Sequence, residues 1–177
     1  TLNLLLKELD RNDFIVNKTW YLNERHYGSL TGLNKEETKQ KIGESLFLKY
    51  RRSWDIAPPR MEKNDKNISL FGSLNKTIPG DKVPNTESLK DTYTRVVKYY
   101  NETISDIFKK NNAVIIAAHG NSLRALCKYL FKISDIEINK LEIPTGNPMI
   151  INFSENLRAD NAKYLDKERA KPIINID

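Results

Sequence analysis

Apolar and polar residues recur along much of the chain with the spacing of an α-helix, in which apolar side chains three or four positions apart share one face. The clearest case ends near residue 110, where Val97, Tyr100, Ile104 and Phe108 form one apolar stripe. Asn34 and Ser134 precede two further segments of this type and are suitable N-caps. The expected helices cover residues 1–9, 35–42, 44–54, 85–110, 123–131 and 135–141.

Apolar runs of strand length lie between these helices. Residues 113–118 are continuously apolar, which is typical of a strand that is buried on both faces. This run leads directly into the helix at 123–131, and strand, sharp turn and helix form half of a βαβ unit. Residues 149–153 predict a second strand and 14–16 a short third one. The alternation predicts an α/β fold, although three strands are few for a complete sheet.

A length of 177 residues corresponds to a single domain, 1–177. Within it, residues 55–85 are rich in Pro, Gly and Asn and predict a long irregular excursion, either a lid or a disordered loop. The polar residues 159–177 are expected to be a C-terminal tail or an edge decoration. The chain starts without Met and within a helical pattern, so we expect it to be the C-terminal part of a longer protein.

Composition narrows the class of function. Lys and Arg number 29 against 23 Asp and Glu, a net charge of +6, but the cations are scattered, which favours a small phosphorylated or carboxylated ligand over nucleic acid. One Cys and two His argue against a disulfide scaffold and against a metal centre. The cysteine usage fits a reducing, cytoplasmic setting. No run approaches the ~18 apolar residues of a membrane span.

His119 follows the expected buried strand directly and stands at the start of a helix. Ligands bind at this edge of open α/β sheets, and backbone N–H groups of Gly120 and Asn121 would face an anion there. This placement predicts a phosphate or oxyanion site that includes His119. The alternative is a histidine with a purely structural role in the core.

Three further groups of polar residues are candidates for the same chemistry. Glu24 is a candidate general acid or base, and Arg25, His26 and Tyr27 follow it on an irregular segment that is alternatively a solvated loop. The adjacent Arg51 and Arg52 suit carboxylate or phosphate, or alternatively form a surface pair at a helix end. Lys35 at a helix start opposes the helix dipole, which a bound anion would explain.

Six collinear motifs resemble the cofactor-dependent phosphoglycerate mutases of the histidine phosphatase superfamily. They are LNERHYG at 22–28, GLNK at 32–35, YRRS at 50–53, ESLKDT at 87–92, AAHGNSLR at 117–124 and IPTG at 143–146. The resemblance extends in order from about residue 1 to 153. It implies a three-layer sandwich in which helices flank a mostly parallel sheet, incomplete here at its N-terminal side.

The resemblance also implies an activity and its residues. It implies interconversion of 3-phosphoglycerate and 2-phosphoglycerate in glycolysis and gluconeogenesis, through a phosphohistidine, with 2,3-bisphosphoglycerate as phosphoryl donor and no metal. It makes Glu24 the general acid or base and His119 the histidine that stabilises the transferring phosphoryl group. It implies a homodimer or homotetramer. The binding residues that it implies are Arg25, His26, Tyr27, Lys35, Arg51, Arg52, Gly120 and Asn121.

One motif of the family does not occur in this sequence. The phosphorylated histidine belongs to an Arg-His-Gly motif, whereas His26 and His119 fit other motifs. We therefore expect the nucleophile to be absent from these 177 residues, which would be inactive by themselves. Alternatives are a histidine-type phosphatase, a bisphosphoglycerate mutase, or a non-catalytic anion-binding module.

Overall fold

The structure is a computed structural model that describes residues 1–10, 13–68, 78–111 and 113–170. Its helices are α1 (Leu2–Glu8), α2 (Lys35–Ile42), α3 (Glu44–Arg52), α4 (Leu89–Tyr99), α5 (Ser105–Lys110) and α6 (Gly120–Leu130). Its strands are β1 (Met149–Phe153) and β2 (Ala159–Tyr164). Short 3₁₀ turns cover Trp20–Leu22, Gly28–Leu30, Gly80–Lys82 and Glu137–Lys140.

Local capping explains where the central helices begin and end. The side chain of Asn34 accepts hydrogen bonds from the backbone N–H groups of Glu36 and Glu37, which starts α2 as predicted. Gly43 then takes a φ of +84°, a conformation that favours glycine, and separates α2 from α3. Ser88 and Asp91 form a reciprocal capping box that starts α4.

The long helix predicted up to residue 110 is confirmed, with one irregularity. A π turn at Tyr100–Ile104 joins α4 to α5 without a break in the helical backbone. Val96, Tyr100 and Ile104 are buried in succession along this rod. The apolar stripe of the sequence is therefore the face that packs inwards.

The core lies between the α4–α5 rod and α6. Both helices present apolar side chains to this space, and the segment that follows α6 closes it from a third side. Removing these side chains from water is the main force that holds the helices together. The buried apolar residues of the core are Leu89, Val96, Tyr100, Ile104, Ala125, Leu126, Cys127, Phe131, Ile133, Ile138 and Leu141.

The two strands form an antiparallel pair in which Met149 lies opposite Tyr164 and Ile151 opposite Ala162. The strand predicted at 149–153 is therefore confirmed. Residues 159–177 were expected to be a C-terminal tail or an edge decoration. Of these, Ala159–Tyr164 form β2, whose alternate side chains cover the core beside β1. Residues 171–177 lie outside the described ranges.

The mostly parallel sheet is not found, since the described residues contain one sheet of two antiparallel strands among mixed helices. Residues 113–118 form no strand, and the prediction of burial on both faces is wrong. Val114 and Ile116 are half-buried, whereas Ile115 is 55% exposed. A strand needs a partner along its edge, and no described segment pairs with this run. Residues 14–16 likewise form no strand and are exposed.

The excursion at 55–85 is described at 55–68 and 78–85, where it has no α-helix and no strand. Its first part is nevertheless well anchored. The carbonyl of Pro59 accepts a hydrogen bond from Ser29 N–H at 2.9 Å, and the N–H of Met61 donates to the carbonyl of Asn85 at 2.9 Å. These contacts join it to the turn at Gly28–Leu30 and to the chain just before α4.

Candidate active site

Loops and helix ends from five parts of the chain surround one polar cavity of about 400 Å³. The loop after Trp20–Leu22, the start of α2, the end of α3 and the start of α6 all contribute, together with residues 142–145. Most of the predicted site residues meet here although they are far apart in sequence. The predicted residues that line the cavity are Glu24, Tyr27, Lys35, Arg51, Arg52, Gly120 and Asn121.

The end of α3 is held in place by a buried arginine. Arg25 is 2% exposed, and its Nη2 donates to the backbone carbonyls of Tyr50 at 2.9 Å and Arg51 at 3.3 Å. Such carbonyls in the last turn of a helix lack partners within the helix, so a guanidinium satisfies them and complements the dipole. Arg25 thereby fixes the turn from which Arg51 and Arg52 extend into the cavity.

The guanidinium of Arg25 retains further hydrogen-bonding capacity. Its Nε and Nη1 are buried and have no partner within the described ranges. Its Cζ lies 4.6 Å from the ring centroid of Tyr27, and that of Arg51 lies 5.3 Å from the same ring. The two cations are therefore close together, an arrangement that a nearby anion would stabilise.

The loop that carries Glu24 is held by a buried ion pair. Arg95 on α4 pairs with Glu87, with Nε 2.7 Å from Oε1 and side-chain exposures of 11% and 7%. The same guanidinium donates to the carbonyls of Tyr21 and Asn23. The other oxygen of Glu87 accepts the backbone N–H of His26 at 2.8 Å. This pair therefore connects α4 to both sides of Glu24.

Asn121 connects the side chains at the centre of the cavity. Its Nδ2 donates to Oε1 of Glu24 at 2.9 Å and to the hydroxyl of Tyr27 at 2.8 Å. Its Oδ1 accepts from Nη1 of Arg124 at 2.9 Å. An arginine only donates and a carboxylate only accepts, so these neighbours together fix which way the amide faces. The Tyr27 hydroxyl accepts in this network, so its own proton remains available to a ligand.

Arg124 is buried at 4% exposure beside this network, and its Nη2 also donates to the carbonyl of Ile138 at 2.6 Å. Burial, and after it the positive charges of Arg52 and Arg25, lower the pKa of Arg124 to about 10. The side chain stays protonated at neutral pH. Arg124 is therefore a buried cation that lies near two other cations of the site.

The remaining cations of the cavity differ in their partners. Nη2 of Arg52 lies 2.7 Å from Oε1 of Glu142, which also lines the cavity. Arg51 instead contacts the rings of Tyr27 and Phe47. In the part of the chain that the structure describes, neither Arg51 nor Lys35 pairs with a carboxylate. The cavity therefore carries positive charge that its own acidic residues do not balance.

The two histidines lie outside the cavity lining. His119 is exposed at the N-cap of α6, and the next residue, Gly120, does line the cavity. His26 is 7% exposed, and its Nδ1 accepts the N–H of Gly28 at 3.0 Å. Burial lowers the pKa of His26, partly offset by the charge of Glu87. Their predicted roles in catalysis and binding stay predictions.

The described ranges contain no group of three or more His, Cys, Asp or Glu side chains that could hold a metal ion. They also contain no helix with the length and apolar character that crossing a membrane requires.

Comparison with known proteins identifies the family of this chain. The sequence model of the histidine phosphatase superfamily (branch 1) matches residues 64–159. A 2,3-bisphosphoglycerate-dependent phosphoglycerate mutase of Treponema denticola is 46% identical over 176 residues, which are 99% of this chain and 71% of that protein. This chain belongs to the histidine phosphatase superfamily.

A second relative has the same name. The 2,3-bisphosphoglycerate-dependent phosphoglycerate mutase of Pelagibacter ubique is 50% identical over 157 residues, which are 89% of this chain and 66% of that protein. The chain therefore spans about two thirds of the length of the relatives it matches.

Sequence reasoning assigned no role to four residues that organise the site, namely Glu87, Arg95, Arg124 and Glu142. Arg124 had a local signal, since it lies three positions after Asn121 and therefore on the same helical face. Glu87 begins the motif at 87–92, but the motif does not reveal its role, and Arg95 had no signal. The backbone groups that these two residues hold are more than sixty positions away.

Proposed function

We propose that the protein is a phosphoglycerate mutase that interconverts 3-phosphoglycerate and 2-phosphoglycerate, an isomerase of glycolysis and gluconeogenesis. The observation that supports this most strongly is the convergence of Glu24 with Lys35, Arg51 and Arg52 on one cavity. A carboxylate surrounded by cations suits a substrate that carries a phosphate, a carboxylate and a hydroxyl. Both relatives are named as mutases of this type.

The cavity fits a ligand with several negative charges. Lys35 and Arg51 pair with no carboxylate in the described ranges, and Arg25 has two buried donor atoms without a partner there. Guanidinium groups bind phosphate and carboxylate through paired N–H donors. When bound, 2,3-bisphosphoglycerate would supply the phosphoryl group for the reaction. Its phosphate groups would be held by Lys35, Arg51 and Arg52.

Glu24 is the residue that would move the proton of the substrate hydroxyl. The hydrogen bonds that its carboxylate accepts in the described ranges, from Asn121 Nδ2 and from Arg25 N–H, both use Oε1. Oε2 is then the oxygen that faces a substrate hydroxyl as general base and later as general acid. The fixed amide of Asn121 keeps the carboxylate in this orientation.

The phosphoryl group would pass through a phosphohistidine whose nucleophile is neither His26 nor His119. His26 is buried and its Nδ1 is already hydrogen-bonded to Gly28. His119 stands exposed beside Gly120 at the N-terminus of α6, where it would donate to the phosphoryl oxygens while the helix dipole favours their charge. The 177 residues alone are then expected to show no turnover.

The test is a mutase assay on the full-length protein with 3-phosphoglycerate, with and without 2,3-bisphosphoglycerate. Glu24→Gln should reduce turnover by about 100-fold or more, the usual contribution of a general acid or base, and should retain phosphohistidine formation. Glu44→Gln is the matched control, because Glu44 pairs with Lys39 away from the cavity. Wild-type turnover in Glu24→Gln would remove the proposed role, and phosphate release without isomerisation would identify a phosphatase.

His119→Ala should slow phosphoryl transfer while leaving thermal stability unchanged, because the side chain is exposed. Near-normal transfer in this variant would give His119 a structural role only. His119→Asn is the conservative comparison, since it keeps a hydrogen-bond donor and an N-cap residue at the start of α6.

We further propose the three-layer sandwich for the complete enzyme, in which residues 113–118 gain a strand partner. The alternating exposure of Ile115 and its half-buried neighbours supports this, because it is typical of extended chain covered on one face. Slow amide hydrogen exchange at 114–118 in the full-length protein would agree with strand pairing, and fast exchange would contradict it. The homodimer or homotetramer and the cytoplasmic location remain parts of the same proposal.

A further inference from the structure

Glu142 is an acidic residue in a cavity whose other charged groups suit anions. It lines the cavity together with Arg52, and its Oε1 lies 2.7 Å from Nη2 of that arginine. The two residues are 90 positions apart and come from separate elements, the end of α3 and the segment after Leu141. The pair therefore forms only through the tertiary fold.

The backbone that carries Glu142 is firmly held. Its carbonyl accepts a hydrogen bond from the hydroxyl of Tyr164 at 2.9 Å, and the preceding Leu141 is buried at 1% exposure. Pro144 follows two residues later and restricts the chain further. The carboxylate is thus presented to Arg52 from a fixed position.

The ion pair itself is weakly held. Its side chains are 42% and 45% exposed, and a pair at that exposure contributes little net free energy because water screens it. A ligand phosphate or carboxylate offers Arg52 the same type of oxygen with more negative charge. Arg52 also lies near Arg124, whose pKa is lowered first by burial and then by the charge of Arg52. One negative group at Arg52 is therefore electrostatically favoured, whichever molecule supplies it.

We propose that Glu142 is a built-in competitor for the anion subsite at Arg52. Its carboxylate occupies one edge of the guanidinium, and a phosphorylated ligand must displace it to bind that edge. This competition lowers the affinity of the cavity for small anions and favours product release. The inference rests on the proposed function only in that the cavity binds phosphorylated ligands.

The test compares Glu142→Gln with the parent full-length protein in calorimetric binding of inorganic phosphate and of 3-phosphoglycerate. Removing the competing charge should tighten binding by about three- to tenfold, as expected for one partly screened charge. Glu44→Gln is the matched control, since it breaks another exposed pair, at 2.7 Å from Lys39, outside the cavity lining. It should leave the affinity unchanged.

A double-mutant cycle with Arg52→Gln shows whether Glu142 acts through Arg52. In the Arg52→Gln background, Glu142→Gln should no longer tighten binding. Unchanged or weaker binding in Glu142→Gln alone, or an equal gain in both backgrounds, would overturn the proposal. Because direct binding is measured, an absence of mutase turnover would defeat the proposed function without affecting this result.

Discussion

Asn121 donates a hydrogen bond from Nδ2 to Oε1 of Glu24 over 2.9 Å, although 97 positions separate the two residues. The start of α6 is thereby joined to the loop before Gly28. Arg124 holds the opposite side of the amide, so the amide cannot rotate without losing a charge-assisted hydrogen bond. The carboxylate proposed to move the proton is therefore oriented by α6.

The first prediction concerns this amide. Asn121→Asp retains the shape of the side chain and its contact with Arg124, but it replaces the donor that faces Glu24 with a second carboxylate. We expect turnover to fall by about 10- to 100-fold, since a hydrogen bond to a charged group is lost and repulsion replaces it. A normal rate in a steady-state mutase assay would show that the amide does not position Glu24.

The second prediction concerns the buried pair of Glu87 and Arg95. Arg95→Met leaves the Glu87 carboxylate at 7% exposure without its partner, and it removes donors from the carbonyls of Tyr21 and Asn23. The free energy of unfolding should fall by about 3 kcal/mol in urea denaturation.

Lys98→Met is the control for that measurement. Lys98 pairs with Glu102 on the same helical rod, but both side chains are more than half exposed. Its loss should lower the free energy of unfolding far less than the loss of Arg95, because water screens an exposed pair. Equal losses in the two variants would contradict the structural role assigned to Arg95.

The third prediction concerns Gly28, which has a φ of +56° and whose added Cβ would lie 2.0 Å from the carbonyl oxygen of Pro59. Gly28→Ala should therefore destabilise the fold through both strain and a clash with backbone. Gly43→Ala tests the strain alone, because Gly43 has a φ of +84° with nothing near its Cβ position. The midpoint temperature of thermal unfolding should be well below that of Gly43→Ala when it is measured for Gly28→Ala. The reverse order would contradict the close approach of Pro59.

The fourth prediction concerns pH. Burial lowers the pKa of His26 below its ordinary value of 6.5, so the unfolded chain binds a proton more readily than the folded one. Stability should therefore decline as the pH falls through 6.5 towards the lower pKa of the folded state. The free energy of unfolding, measured by urea denaturation at several pH values, should change less steeply with pH in this window for His26→Gln than for the parent protein. An identical slope in both proteins would exclude His26 as its source.

Local sequence signals predicted the helices well because the groups that define them are adjacent in the chain. Asn34 needs only the N–H groups of the next three residues to start α2, and the cap is found as expected. The apolar run at 113–118 carried an equally strong signal, but a strand exists only when another segment pairs with it. Periodicity describes the run itself and contains no information about its neighbours.

The candidate site shows the same division. The motif around Glu24 and the adjacent Arg51 and Arg52 were identified from residue type, and the cavity contains all three. Two of the residues that hold them in place, Arg95 and Arg124, were not identified, because they act on backbone and side chains that only the fold brings near. Reactive residues can be recognised in a sequence where their combination is unusual. The residues that position them cannot, because they resemble ordinary charged residues on a helix.

Because of the π turn at Tyr100–Ile104, this helical rod contains one residue more than a regular α-helix would need. A π turn contains one residue more than an α turn, so the rod keeps Val96 before it and Phe108 after it on the same face despite the addition. Removing one exposed residue there, such as Glu102, would convert the turn into regular α-helix and leave that face intact. α6 contains no π turn, so a one-residue deletion within it would rotate the side chains beyond the deletion by about 100° around the helix axis.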